Sequence, residues 1–159
     1  PRRRSSLGPE VGFYFPTDQR TRDAFGSTWV NYGVGFRPIA LASRKGVLGF
    51  DVNIVSTSGS GRRALLIPVN VIYKRALGGS ATPGEGVTPY AGVATGLLIA
   101  DLRSDNFGVS SGFRGGYGGT FLLGFTVNTQ FFVEARYQVY SKIKGFDVSG
   151  IGLSTGFRF

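Results

Sequence analysis

Large apolar residues recur at every second position over most of this chain. The closing stretch GIGLSTGFRF shows the pattern at its plainest. Ile151, Leu153, Thr155, Phe157 and Phe159 form one set, and Gly150, Gly152, Ser154, Gly156 and Arg158 the other. A period of two places the sets on opposite faces of a β-strand. Near Glu10–Phe15, Val11, Phe13 and Phe15 alternate with Gly12 and Tyr14. Trp29–Arg37 sets Val30, Tyr32, Val34 and Phe36 against Asn31, Gly33, Gly35 and Arg37. Val47–Val55 sets Leu48, Phe50, Val52 and Ile54 against Gly49, Asp51 and Asn53.

The fourth segment, Ala64–Lys74, is less clean. Leu65, Ile67, Val69, Val71 and Tyr73 oppose Leu66, Pro68, Asn70, Ile72 and Lys74, so the second face is only partly polar. Pro68 lacks a ladder donor and predicts a bulge. In Pro89–Ala100 the outer set is Ala91, Val93, Thr95, Leu97 and Ile99. In Phe113–Phe125, Phe113, Tyr117, Phe121, Leu123 and Phe125 face away from Arg114, Gly116, Gly118, Thr120 and Gly124. The seventh segment sets Phe131, Val133, Ala135, Tyr137 and Val139 against Phe132, Glu134, Arg136 and Gln138.

Eight strands joined by short connections are antiparallel neighbours. Closure removes the exposed edges such a meander would otherwise carry. The predicted fold is all-β: a closed eight-stranded antiparallel up-and-down barrel, one domain over residues 1–159, with 1–8 a flexible lead-in.

Alternation alone does not say which face is inside. A soluble barrel of lipocalin type, binding a lipid or pigment, hides the apolar set; a membrane barrel displays it. The polar face here carries Glu10, Arg37, Asp51, Lys74, Arg114, Glu134, Arg136 and Arg158 among many glycines; Arg37, Asp51, Lys74, Arg114, Glu134, Arg136 and Arg158 are the candidate charge network. An exposed face would carry a dense charged coat instead. Small residues beside long ionic ones suit the narrow interior of an eight-stranded barrel. Both signs of charge occur, so these ions can pair in the lumen; unpaired, each costs several kcal/mol. Phe36, Tyr73, Phe125, Phe131, Phe157 and Phe159 fall at strand ends on one side, as an interfacial aromatic belt would. The predicted barrel is therefore transmembrane, with a lumen plugged by charge. A narrow pore is the other membrane alternative.

The chain has 159 residues and no Cys, Met or His. Thiol chemistry, disulfides, imidazole-metal sites and Ser-His or Cys-His pairs are thereby excluded. No enzymatic role, cofactor or metal is expected. Net charge is +9, which points to an anionic partner. RGGYGG resembles nucleic-acid-binding RGG segments, but it sits within regular alternation, so strand is the better reading and no nucleic acid is expected. Basic residues in predicted connections are Arg20, Arg22, Arg62, Arg63, Arg103, Lys142 and Lys144. They are candidates for the phosphates of an outer-leaflet glycolipid. No run of about 18 apolar residues is present, so no transmembrane helix is expected. No apolar stretch follows PRRRSSLGPE, so no signal peptide is visible.

The chain resembles the small outer-membrane β-barrels, the eight-stranded outer-membrane protein A-like superfamily. Ile151, Leu153, Phe157 and Phe159 look like that superfamily's C-terminal signal for the barrel-assembly machinery. PYAGVATG (Pro89–Gly96) and IPVNVIYK (Ile67–Lys74) look like strands of the group. The resemblance implies the bacterial outer membrane, with both termini periplasmic. Connections 17–27, 57–63, 102–111 and 142–147 would then point outward, and 38–46, 76–87 and 127–129 inward. The expected role is structural or accessory, within or beside a larger envelope complex.

Overall fold

The computed structural model describes residues 6–37, 46–77, 86–127 and 130–157. Eight strands follow one another: β1 (Ser6–Pro16), β2 (Trp29–Arg37), β3 (Val47–Gly59), β4 (Arg62–Ala76), β5 (Val87–Ser104), β6 (Phe113–Val127), β7 (Phe131–Tyr140) and β8 (Gly150–Phe157). Each pairs antiparallel with the next, and β8 pairs back onto β1, closing the barrel in sequence order. Ser6, Leu7 and Gly8 pair with β2, so the expected flexible lead-in is strand from residue 6 onward.

The faces divide as the alternation requires. Phe50, Tyr137 and Leu153 are 44%, 48% and 49% exposed, whereas Asp51 and Arg136 are both 3% exposed. A lipocalin-type barrel would have the opposite burial, so that alternative is overturned. The outward surface is a continuous apolar band, the arrangement that lets strands meet hydrocarbon. Phe36, Tyr73, Phe125 and Phe157 lie at its terminus-side edge, and the rings of Phe131 and Phe157 meet edge-on at 5.5 Å.

Pro68 produces no bulge. Val52 pairs with Val69 and Val55 with Leu66, which is one unbroken register; the bridges opposite the proline are simply missing. On its other side Pro68 aligns with Leu98.

The wall is uneven. β4, β5 and β6 have 15, 18 and 15 residues, while β7, β8 and β2 have 10, 8 and 9. A spanning strand needs about 9–11 residues. The long strands therefore rise past the short ones at the end away from the termini. Residues expected in connections, 57–59, 62–63 and 102–104, belong to this raised wall. On the low side, the connections after β1 and β7 fold inward against it.

One of those connections holds a helix, α1 (Gln19–Phe25), that alternation did not predict. Asp18 caps it, its carboxylate accepting from the Thr21 amide at 2.9 Å. Gly26 ends it at φ 101°, a conformation that favours glycine.

Candidate functional site

The lumen is filled in two storeys of different chemistry. The storey next to the termini is ionic. Arg136 of β7 stands at its centre. Its Nη1 donates to Asp51 at 2.8 Å, its Nη2 to Glu10 at 3.0 Å, and its Nε to Glu134. Lys74 donates to the second oxygen of Glu134, and the Tyr90 hydroxyl donates to the same oxygen at 2.7 Å. Asn70 donates to Asp51 at 2.9 Å. With its nitrogen turned to Glu10, the Asn53 amide donates to that carboxylate at 2.6 Å and accepts from Arg136 at 3.0 Å. Two cations thus face three carboxylates, drawn from β1, β3, β4 and β7.

The register explains how such bulk fits. Each ionic residue has a glycine directly across the ladder: Gly33 and Gly156 beside Glu10, Gly35 beside Asp51, Gly92 beside Lys74, Gly124 beside Glu134 and Gly152 beside Arg136. At Gly33, Gly92, Gly124 and Gly156 a Cβ would crowd neighbouring atoms, whereas at Gly35 and Gly152 it would make no close contact. A cavity of about 30 Å³, bordered by Glu10, Asp51, Lys74 and Arg136, lies beside the ionic cluster. It has room for about one water.

The other storey is apolar. Tyr14, Trp29, Val55, Leu66, Leu98 and Leu102 line it from the strands, and Phe25, Ile143, Phe146 and Val148 close it from above. The Phe25 ring packs edge-on against Phe146 at 5.0 Å and against Trp29 at 6.3 Å. Polar ties hold the cover down. Tyr14 donates its hydroxyl to the Val148 carbonyl, Trp29 Nε1 donates to Gly26 O at 2.8 Å, and Thr21 donates to Asp147 O at 2.8 Å. Lys144 reaches the carbonyls of Leu102 and Ser110 at 3.1 and 2.6 Å, tying the β7–β8 connection to the raised wall.

Of the residues expected in a charge network, Asp51, Lys74, Glu134 and Arg136 meet. Glu10, Asn53, Asn70 and Tyr90 join them; all four had the right parity to face inward. Arg114 does not meet them. It pairs with Ala100 near the capped end and is exposed. The raised β5–β6 wall carries it past the closed lumen, which parity alone cannot reveal. The Arg37 and Arg158 side chains and Phe159 lie outside the described residues. Ile151, Leu153 and Phe157, expected in the assembly signal, all face outward on β8.

The basic residues of the connections are scattered around the capped rim. Arg20 stacks over the Phe146 ring at 4.8 Å. Arg22 donates to Pro16 O and Gln19. Arg62 lies over Gly59, and Lys142 is exposed. Arg63 pairs with Asp101, and Arg103 with Asp105 at 3.2 Å. Outside the spanning wall, the Thr21 amide and then the Thr21 hydroxyl hold the Asp18 carboxyl below its ordinary range.

This architecture is shared with solved bacterial barrels. Neisserial surface protein A superposes with a TM-score of 0.74 at 15% identity, covering 97% of this chain and 94% of that one. Pseudomonas aeruginosa OprG gives 0.61 at 12% identity, with 98% and 95% covered. The N-terminal barrel of Pseudomonas aeruginosa OprF gives 0.53 at 20%, with 98% and 97% covered. No family model matches the sequence. No curated protein matches it either. The chain has the fold of the small eight-stranded outer-membrane barrels.

Proposed function

We propose that this chain is an integral protein of the bacterial outer membrane with a structural or accessory role, and that its lumen does not conduct. The observation that carries the reading is a double closure inside an apolar exterior. An ion crossing the barrel would have to break the buried Arg136 cluster and then pass a dry aromatic storey. Neither barrier is compatible with a hydrated path. The capped end faces outward and the termini face the periplasm. Ile151, Leu153, Phe157 and Phe159 present the last strand to the barrel-assembly machinery. The role is non-enzymatic: a rigid membrane-spanning body that stands within or beside a larger envelope assembly.

Planar bilayers test this directly. The refolded full chain should insert without steady conductance steps. Sustained, voltage-independent steps from the folded barrel would overturn the sealed-lumen reading. The membrane part is tested by detergent removal. The barrel should precipitate, whereas a monodisperse detergent-free solution would contradict an exterior built for lipid.

A further inference from the structure

We propose that the outer surface of β2–β5, at the capped rim, holds a phosphorylated glycolipid of the outer leaflet, with its phosphate between Arg63 and Arg103. The proposal rests on the reading that the capped end faces outward. It narrows a general basic rim to one surface.

The ladder defines that surface row by row. Ser58 aligns with Arg63, and Arg63 with Arg103 directly across the β4–β5 pair. All three face outward. The next row toward the membrane is Val30, Ser56 and Leu65, continuing to Asp101, which is buried and accepts from Ser111 and Gly112. Below it Tyr32 aligns with Ile54, and Ile67 with Ile99. The surface thus changes from hydroxyl and guanidinium to purely apolar within a few residues of strand. That sequence of chemistries is the one a glycolipid presents: phosphate and sugar above, acyl chain below.

Two arginines directly opposed on neighbouring strands repel unless an anion lies between them. Asp101 and Asp105 each take one, yet Arg63 and Arg103 keep about half their side-chain surface open, 53% and 55%. Arg62, whose guanidinium lies over Gly26 and Gly59, borders the hollow beside the pair as a third cation. Three cations border the hollow and two carboxylates pair with them, leaving the patch one negative charge short of neutrality. Guanidinium forks suit phosphate oxygens better than a lysine ammonium does. Beside the pair, Ser58, Gly61, Arg62 and Ser111 border a hollow of about 340 Å³. A second hollow of about 540 Å³, bordered by Thr28, Ser56, Ser58 and Leu65, continues it toward the hydrocarbon edge. Small hydroxyl residues give a sugar room and hydrogen-bond partners where larger side chains would fill the surface.

Native mass spectrometry of the folded full chain in neutral detergent tests the site, with diphosphorylated lipid A as the probe. Wild type should retain it and should release a dephosphorylated lipid A. Arg103→Ser and the double variant Arg63→Ser/Arg103→Ser should weaken retention, the double by about tenfold or more. Asp105→Asn frees Arg103 and should tighten it, by about threefold. Lys142→Ser, elsewhere on the rim, should change nothing. Equal retention by the double variant, or equal retention of the dephosphorylated lipid, overturns the proposal. So does full displacement by millimolar inorganic phosphate, which would mark a simple anion site with no lipid specificity. Heat-modifiable migration and bilayer silence are scored on the same samples. If both persist while lipid A is not retained, the sealed barrel stands and only the lipid site falls.

Discussion

The two storeys of the lumen are built by the same eight strands, with the same alternation, yet they are filled in opposite ways. Around Arg136 the inward positions are mostly charged, amide or glycine, with Ile72, Tyr90, Ala94 and Leu122 clustered beside them; around Trp29 they are mostly aromatic or aliphatic. Each filling has its own logic. The apolar storey gains free energy from area alone and tolerates small shifts. The ionic storey gains little over an apolar core of equal volume, and only while every partner is present. Its value lies in fixing one arrangement: the fork of Arg136 reaches β1 and β3 besides its own strand only in this register. The apolar storey fills space by area, and the ionic storey by matched partners.

The largest predicted effect follows from that asymmetry. Arg136→Ala strands Glu10, Asp51 and Glu134 together, and should cost about 5 kcal/mol or prevent folding at neutral pH. Glu134→Gln should cost less, because two cations then face two carboxylates. Urea unfolding in detergent, followed by tryptophan fluorescence, ranks the two. If Glu134→Gln proves the more damaging, the three-carboxylate count does not describe the site.

The apolar storey should respond by volume. Phe146→Ala opens a void beneath α1 and removes the ring that Phe25 and Arg20 pack against. A loss of about 3 kcal/mol is expected. Phe146→Leu should recover most of it, since the storey needs filling more than it needs a particular partner. No such recovery is expected for Arg136→Lys, which cannot reproduce the fork. Equal rescue at both sites would remove the distinction between the storeys.

How legible each storey was in the sequence differs for the same physical reason. Period two is a local signal, so the outward sets on every strand and the inward parity of Asp51, Lys74, Glu134 and Arg136 could be read directly. So could glycine beside long ions, which the cross-strand register makes specific. The apolar storey was hidden, because Leu66, Leu98 and Leu102 are apolar on the face that alternation marks as polar. They read as ambiguity in β4 and β5, when in fact they record a cover lying above them. That cover is a long-range feature: Phe25 and Phe146 are far apart in sequence, and α1 is too short to show a helical period. Arg114 was misplaced because strand parity gives the face but not the height. The bulge expected at Pro68 did not form, because a missing bridge is a smaller disturbance than an inserted residue.

Glycine separates two positions within the ionic storey. A Cβ at Gly124 would sit 2.7 Å from the Tyr90 hydroxyl and 2.5 Å from the Val133 carbonyl, so Gly124→Ala must push Tyr90 off Glu134. It should cost about 2 kcal/mol. At Gly152, across from Arg136, the nearest atoms stand 3.8 Å away. Gly152→Ala makes ordinary contacts and should be near neutral. Thermal melts of the two variants compare a glycine needed for room with one that is not; indistinguishable melts would mean the lumen is looser than the register implies.

The smallest effect lies in the cover. Asp18→Ala removes the cap of α1 and should cost about 1 kcal/mol locally, without unfolding the wall. Amide exchange reports it: the Thr21 amide, which donates to Asp18 at 2.9 Å, should lose about fivefold protection while β5 amides keep theirs. The carboxyl is held below its ordinary range by that amide and by the Thr21 hydroxyl. A depressed folded value means the cap's contribution is complete above the unfolded value of about 3.9. It is lost as pH falls through the lower folded value, so the cap is insensitive to pH near neutrality and weakens only in acid. Asp18→Asn keeps a capping oxygen but has nothing to titrate. It should hold Thr21 protection at neutral pH and abolish the acid dependence. If β5 exchange rises together with Thr21 in Asp18→Ala, the cover and the raised wall open as one unit, and the apolar storey is no separable lid on an ionic barrel.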